Sequence, residues 1–598
     1  WLLLMLIQRI YKILNVSLGH CQFHVKLPKR MNKAVVCHFP GENKLTLSFH
    51  YDDPKTSISR QFNFERLLEE PISSCVARIT SNVQNSVNKK LKKKLKELAV
   101  SEDLTIKVEF IGSDGVLSEE KKLSTILDSG GLRLYVEPHT YNVDVNPPIV
   151  KSLVLPSPAM MGLTLYPKKL ELKFAFLPSC KFNWYCSANP VKNTSVDVDR
   201  LEWEHVASGH FLFLQAQWLD HIIRLECIPV KGSREGVPFY VYSKEPVTAG
   251  PGKFPFDSRH EFCHDLSDVS SFRMVCYNIL ANLYADSDFS RTVLFPTCPH
   301  YALSMDYRIQ LILKELLGYK ADFICMQEVD VGVFQQDLEP VLQLNGYQGV
   351  LSQKIHSTNG LVNEGVACFY KASKFRLVEM HTLSLSAELK SRTNLRSLWD
   401  EVCSDPNLKE KVEDRSNVLQ ICVLETIKNP SRRIVIGGTH LYFHPLGDAI
   451  RLVQVGVCLH LLQEYYEKQL EGGADVSLIL SGDFNSTPDT DVYTLVTQPD
   501  ALEYISLKQQ EPTYCISELP LENGLLLSSA CGTPEYTNYT SGFSGCLDYM
   551  FYTRDKLEVD QVVPLPSHEE VTQHGALPSV VLPSDHLALV ADFSFLNE

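Results

Sequence analysis

Beyond residue 270 the chain repeatedly ends a continuous apolar run on a polar side chain suited to chemistry, and few folds accommodate that pattern. Asn278 follows FRMVCY, Glu328 follows ADFICMQ, His440 follows IVIGGT and Asp483 follows SLILSG. Asp548 lies inside GCLDYMFY, and Asp585 and His586 precede LALVADF. A strand with one wet face alternates apolar and polar residues, so unbroken apolar runs of this length predict strands buried on both faces. Helical spacing separates them, at 307–317 and again at 449–469. Buried strands interleaved with amphipathic helices predict a layered α/β domain over 271–598. In such domains ligands bind where strand ends and their loops converge, so residues far apart in sequence can share one site.

The preceding half has a different texture. KLTLSFHY (44–51) and KLELKFAF (169–176) alternate as half-buried strands do, and further strand-like stretches follow each. They predict two small β-rich, sandwich-like modules, 32–146 and 147–250, opening on related strands. A Gly/Pro-rich stretch, VTAGPGKFPFD, begins a linker over 251–270. Between the strands, SVNKKLKKKLKEL (86–98) spaces Leu91, Leu95 and Leu98 as a helix does, with lysines elsewhere. It reads first as a solvated helix or loop insertion, and second as a contact for RNA phosphates or an anionic lipid surface.

Bulk properties narrow the class. A chain of 598 residues, 44% hydrophobic and 21% charged, is too long for one core and has a globular composition. A net charge of −14 argues against a protein that coats long duplexes. The 17 cysteines show no CxxC pairing, and several sit in apolar runs, which suggests buried thiols and a reducing compartment. His20, Cys21 and His24 lack a second ligand pair at zinc spacing and read as incidental. Trp1 to Pro40 contains no Asp or Glu but has Arg9, Lys12, Lys26, Lys29 and Arg30 among apolar residues, so 1–31 reads as a mitochondrial transit segment and the protein as a matrix one. No apolar stretch is long enough to predict an integral membrane segment.

In chain order, YNIL, QEV, GTHL, GDFNSTP, LDYMFY and SDH resemble the motifs of the exonuclease/endonuclease/phosphatase superfamily typified by DNase I. The resemblance implies a four-layer α/β sandwich nuclease domain. TNYTSGFSGCLDYMFY (537–552) and THLYFHP (439–445) resemble its deadenylase branch. PLPSHEEVTQHGALPSVVLPSDH (564–586) resembles the branch members that degrade 2′,5′-linked oligoadenylates and 3′ poly(A) tails in mitochondria.

That resemblance implies Mg²⁺, with Mn²⁺ as an alternative, and a short single-stranded RNA or oligoadenylate as the partner. Mg²⁺ wants carboxylate oxygen and keeps phosphate oxygens as further ligands, so Glu328 is the expected anchor, with Asp483, Asn485 and Asp585 beside it. Asp483 either deprotonates the attacking water or binds a second ion. Asn278 orients a carboxylate or phosphate, and Asn485 presents an amide to the phosphorane. His440 and His586 donate to non-bridging oxygens, with Asp548 holding His586. Asn538, Phe543 and Pro445 match positions lining the nucleotide pocket, where a ring and a proline sandwich adenine.

Each has a plainer reading: His440 a core histidine, Asp483 and Asn485 turn or cap residues, Phe543 core, Asp548 a partner for a surface lysine, Asn278 a backbone satisfier. His444, His568 and His574 have no spacing that supports a metal role. No Ser or Cys occupies a GxSxG-like elbow. Two rival functions remain: a phosphatase for nucleotides or inositol phosphates, which calls for clustered Lys and Arg, and a non-catalytic RNA-binding protein.

Overall fold

The computed structural model of the chain describes residues 32–54, 58–95, 106–191, 197–266, 270–356, 360–498, 505–506, 518–521 and 523–596. The acid-poor segment 1–31 and residues 96–98 of the basic run lie outside them. Two compact units result. The first comprises the chain up to Ser152 with Glu171–Phe182 and Glu226–Tyr240; the second comprises Leu153–Leu170, Asn183–Leu225 and Val241 onward.

The first unit carries a seven-stranded sheet in the order Ile58–Leu67, Lys44–Asp53, Lys33–His38, His139–Val145, Arg133–Val136, Val108–Gly112, Gly115–Val116. Helix Ile72–Leu95 covers it, burying Ile72, Cys75, Ile79, Val83 and Val87 against Leu45, Leu47 and Phe49. This is a sheet layered with a helix, not the expected sandwich. Ser, Thr and Asn fill the helix's other positions and mask its apolar stripe, because those residues compete for backbone hydrogen bonds and read as loop. The second related segment forms Lys168–Lys173, a strand of a two-stranded sheet, so the two openings begin different structures. A four-stranded sheet of Trp203–Ser208, Lys181–Ser187, Ile223–Ile228 and Phe239–Tyr242 lies within 147–250.

Within the expected linker 251–270, Pro255–His260 is helical, and Phe254, Phe256 and Arg259 are buried. Arg259 donates to the carbonyls of Pro564 (2.8 Å) and Ala588 (2.7 Å) and to the Tyr319 hydroxyl (2.5 Å), fixing this segment within the second unit.

That unit contains two six-stranded sheets. One runs Tyr347–His356, Gly360–Lys371, Phe323–Asp330, Ser271–Asn278, Leu589–Phe595, Leu557–Val562. The other runs Phe375–Ser384, Val418–Thr426, Arg432–His440, Asp475–Asp483, Asp548–Thr553, Leu527–Ser529. The period of two along each strand divides its side chains between two cores. Phe272, Met274, Cys276, Phe323, Cys422, Ile434, Ile479 and Met550 meet between the sheets. The alternate residues Val275, Tyr277, Ile324 and Met326 meet helix Met305–Gly318, while Ile421, Val423, Leu478 and Leu480 meet helix Asp448–Glu471. Helix, sheet, sheet and helix make four layers, and every central strand is buried on both faces. The domain is a four-layer α/β sandwich preceded by a β-rich region.

Cys276 and Cys325 are buried thiols, and among the described residues no disulfide occurs. No described helix is long and apolar enough to cross a membrane.

Candidate active site

Register places the polar residues side by side. Strand pairing aligns His440 with Asp483, and Asp483 with Asp548, so three neighbouring strands of one sheet present them at the same edge. From the facing sheet come Asn278, at the end of its strand, and Glu328. Register shifts between Met326 and Val329, and Glu328 sits in this bulge at φ 56°. A bulge re-aims a side chain, and a left-handed Glu costs about 1–3 kcal/mol that the surrounding packing must hold. Gly482 is required where it stands: at φ 155° a Cβ there would lie 2.0 Å from the Thr439 carbonyl oxygen.

Asn278 joins the two sheets. Its Nδ2 donates to Glu328 Oε1 (3.1 Å) and Asp483 Oδ2 (3.0 Å), while its Oδ1 accepts from the Leu280 amide (3.0 Å). Glu328 Oε2 accepts from the Ala281 amide at 2.8 Å. Asp483 Oδ1 accepts from the Asn485 amide at 2.8 Å, an Asx turn with Asn485 at φ 49°. Asn485 Nδ2 donates one hydrogen to the Leu441 carbonyl (3.1 Å), leaving its other hydrogen and Oδ1 to face a ligand.

The two histidines differ in charge. His586 Nδ1 donates to Asp548 Oδ2 at 2.7 Å, and the Thr537 hydroxyl donates to the same oxygen at 2.6 Å. Burial alone would discharge His586, but Asp548, Asp585 and Asp483 outweigh it and hold the ring charged well above the usual histidine range. His440 is held well below that range by burial and by the positive charges of Lys354 and His586. Lys354 Nζ lies 3.5 Å from His440 Nδ1 and is a donor only, which puts the neutral ring's hydrogen on Nε2. Both Nε2 atoms stand 3.6 Å from Asp483 Oδ2. Burial pushes the Asp483 carboxyl up to about 6 against the pull of His586.

Donor chemistry decides where a cation would fit. Asp483, Asp548 and His586 lie within 4.8 Å of one another, but His586 Nδ1 is committed to Asp548 and its ring is charged, so it has no lone pair for a metal. Glu328 differs: burial, Asp585 and Glu364 push its carboxyl up to about 7. A buried carboxylate crowded by like charges is relieved by a hard divalent ion, and oxygen donors are what such an ion prefers. Glu328 and Asp585, with Asp483 and Asn485 at the edge, fit the group.

The structure gathers Asn278, Glu328, His440, Asp483, Asn485, Asp548, Asp585, His586 and Asn538 into one network. Asn538 pairs with His586 across a β-bridge, and its Nδ2 donates to Asp585 Oδ2 at 3.3 Å. Phe543 is 46% exposed on the hairpin that carries Asn538, which removes the reading of it as core. Pro445 is exposed after His440, its carbonyl accepting from Arg451 (3.3 Å), and among the described residues no hydrogen bond ties it to the network. Sequence reasoning passed over Lys354 and Glu364, which form a buried ion pair at 2.6 Å beside His440. Their signal was available: Lys354 and the buried Ser352 fall on the same face of one strand, an inward position where a charge must have a partner. Thr537, which clamps Asp548, was missed because a threonine in a turn-rich stretch is unremarked.

Buried carboxylates beside one charged and one neutral histidine, gathered at the facing ends of two packed sheets, suit metal-assisted hydrolysis. The Endonuclease/Exonuclease/phosphatase family profile matches residues 421–586. The chain is 38% identical over 598 residues to 2′,5′-phosphodiesterase 12 of Mus musculus, covering 95% of each, and 37% identical to that of Homo sapiens, covering 94% of each. It is 31% identical to the Carbon catabolite repressor protein 4 homolog 1 of Arabidopsis thaliana over 54% of this chain and 58% of that one. The chain belongs to the Endonuclease/Exonuclease/phosphatase family and is an enzyme of its hydrolase class.

Proposed function

We propose that this enzyme is a Mg²⁺-dependent 3′-to-5′ exoribonuclease, with Mn²⁺ able to substitute, that cleaves 2′,5′-linked oligoadenylates and 3′,5′-linked poly(A) to 5′-AMP in the mitochondrial matrix. The observation that carries it is the Asn278 amide holding Glu328 and Asp483 from two different sheets within one hydrogen-bonding distance. End-to-end similarity to proteins named 2′,5′-phosphodiesterase 12 supports the linkage and substrate. The acid-poor composition of 1–31 supports the compartment.

Glu328 and Asp585 would hold the ion, which when bound supplies positive charge to the phosphate oxygens. Asp483 accepts the proton of the attacking water, having a proton affinity raised toward neutrality by burial. Water oxygen bonds to phosphorus as the bond to the ribose 2′ or 3′ oxygen breaks. His586 brings a full charge and His440 a neutral N–H to the non-bridging oxygens, while Asn485 adds an amide hydrogen. Phe543 offers a ring on which adenine stacks. A phosphatase would want free cations; Lys354, whose ammonium lies 3.5 Å from His440 Nδ1, is ion-paired with Glu364.

Purified full chain with Mg²⁺ is expected to release 5′-AMP from both A2′p5′A and A3′p5′A oligomers. Absence of AMP from both overturns the reading. A fluorescent-protein fusion retaining residues 1–31 tests the compartment, and diffuse cytosolic signal removes it.

A further inference from the structure

The basic helix that the catalytic reading leaves unused borders a groove inside the first unit. Strand Ile58–Leu67 is the outer strand of the seven-stranded sheet, and a cavity of about 590 Å³ opens between it and helix Ile72–Leu95. That volume lies in the range of about 300–1,000 Å³ typical of ligand sites. The helix contributes Arg78, Asn82, Asn85 and Lys89, spaced so that all four share one face, while its apolar stripe packs on the sheet. The strand contributes Arg60 and Asn63.

Charge in this groove runs against the rest of the protein, whose net charge is −14. Glu65, the carboxylate lining it, is bound by Lys44 at 2.5 Å. Arg66 is bound to Glu70 through two hydrogen bonds of 2.5 and 2.7 Å. Among the described residues, Arg78 and Lys89 make no ion pair, and Arg60 makes none beyond a contact over the Phe62 ring at 4.7 Å. Three cations interleaved with side-chain amides suit a chain of phosphates bearing hydroxyls and base edges.

We propose that this groove binds single-stranded nucleic acid through its phosphates, holding a long substrate at a site separate from the catalytic network. An extended peptide added to the outer strand is the rival, but such binding draws its affinity from main-chain hydrogen bonds to the strand and would leave the helix's Arg78 and Lys89 without a role. Here the strand's apolar residues Phe62 and Phe64 are 5% and 6% exposed, and the side chains that stand out along the groove are Arg60, Asn63, Arg78, Asn85 and Lys89.

The test is direct binding in EDTA, which separates it from any question of turnover. A fluorescein-labelled 20-nucleotide RNA is titrated against the full chain and against the triple variant R60Q/R78Q/K89Q, with melting curves checking the fold. Loss of three phosphate contacts is expected to weaken binding about tenfold or more and to lower the slope of log K against log salt by about 2. Asn85→Asp, an exposed change that adds repulsion without removing packing, is expected to weaken binding in the same direction. Wild-type affinity and slope in a folded triple variant overturn the proposal. So does loss of binding seen only toward poly-glutamate peptide or phosphatidylserine vesicles and not toward RNA.

Discussion

Strand Ser271–Asn278 is buried at every residue, whereas strand Ile58–Leu67 has a wet face: Ile58, Phe62 and Phe64 are buried, while Ser59, Asn63 and Glu65 of the opposite face are exposed. A strand covered on both faces can offer polar groups only where it ends. The nuclease sheets therefore gather their chemistry at one edge, within hydrogen-bonding reach, with Asp548 compensated by His586 and Glu328 left crowded by Asp585 and Glu364. A strand with a wet face offers polar groups along its length, and in the first unit Arg60 of the outer strand joins Arg78 and Lys89 of its covering helix along one groove, which suits a ligand lying along it. Point sites and linear sites thus follow from how many layers cover a sheet.

The largest effect should come at the point site. Glu328→Ala is expected to lower kcat by about 10³-fold or more while the protein remains folded, and EDTA should do the same to the wild type, reversed by adding Mg²⁺. Turnover within tenfold of wild type in a folded Glu328→Ala protein would mean that the strand ends do not carry the reaction. His586→Ala and Asp548→Ala should each cost about 10²- to 10³-fold in kcat, the range for losing one electrostatic donor. Because Asp548 acts through His586, the double variant should be no slower than the slower single one. Multiplying penalties would show two independent roles. Phe543→Ala, on an exposed hairpin, should raise KM for oligoadenylates about tenfold with kcat retained, the scale of one base–aromatic stack. Phe543→Tyr, which keeps the π-face, should retain the wild-type KM, whereas Phe543→Leu, which keeps apolar bulk without a ring, should not.

The same contrast explains what the sequence made legible. Strands Ser271–Asn278, Arg432–His440 and Asp475–Asp483 and helices Met305–Gly318 and Asp448–Glu471 could be read directly, because burial on both faces leaves an unmistakable apolar run. The residues that close those runs could be read for the same reason. Of helix Ile72–Leu95 only the lysine-rich end from Ser86 could be read, from its leucine spacing; the first part could not, since its polar positions are filled by residues that favour turns. The inward position of Lys354 could be read from its strand, but its partner Glu364 could not, because that pairing depends on the register of a hairpin and a single strand does not announce which neighbour it will meet. The unequal charges of His440 and His586 depend on those neighbours too: one ring faces Lys354, the other Asp548. The bulge that aims Glu328 is a property of two strands together.

The smallest effect on catalysis should follow from damage to the first unit's core. Ile79 is fully buried under the sheet beside Phe49 and Leu47. Ile79→Ala removes methyl and methylene groups and leaves a cavity, which costs about 2–5 kcal/mol. Denaturant unfolding followed by a probe in the first unit should shift by that amount. Turnover of a two-residue oligoadenylate, measured per folded molecule, should stay within about twofold, because the catalytic network takes every one of its side chains from the nuclease sheets and their loops. A large fall in turnover of so short a substrate would mean that the first unit shapes the chemistry itself. The separation between a linear site that grips and a point site that cuts would then fail.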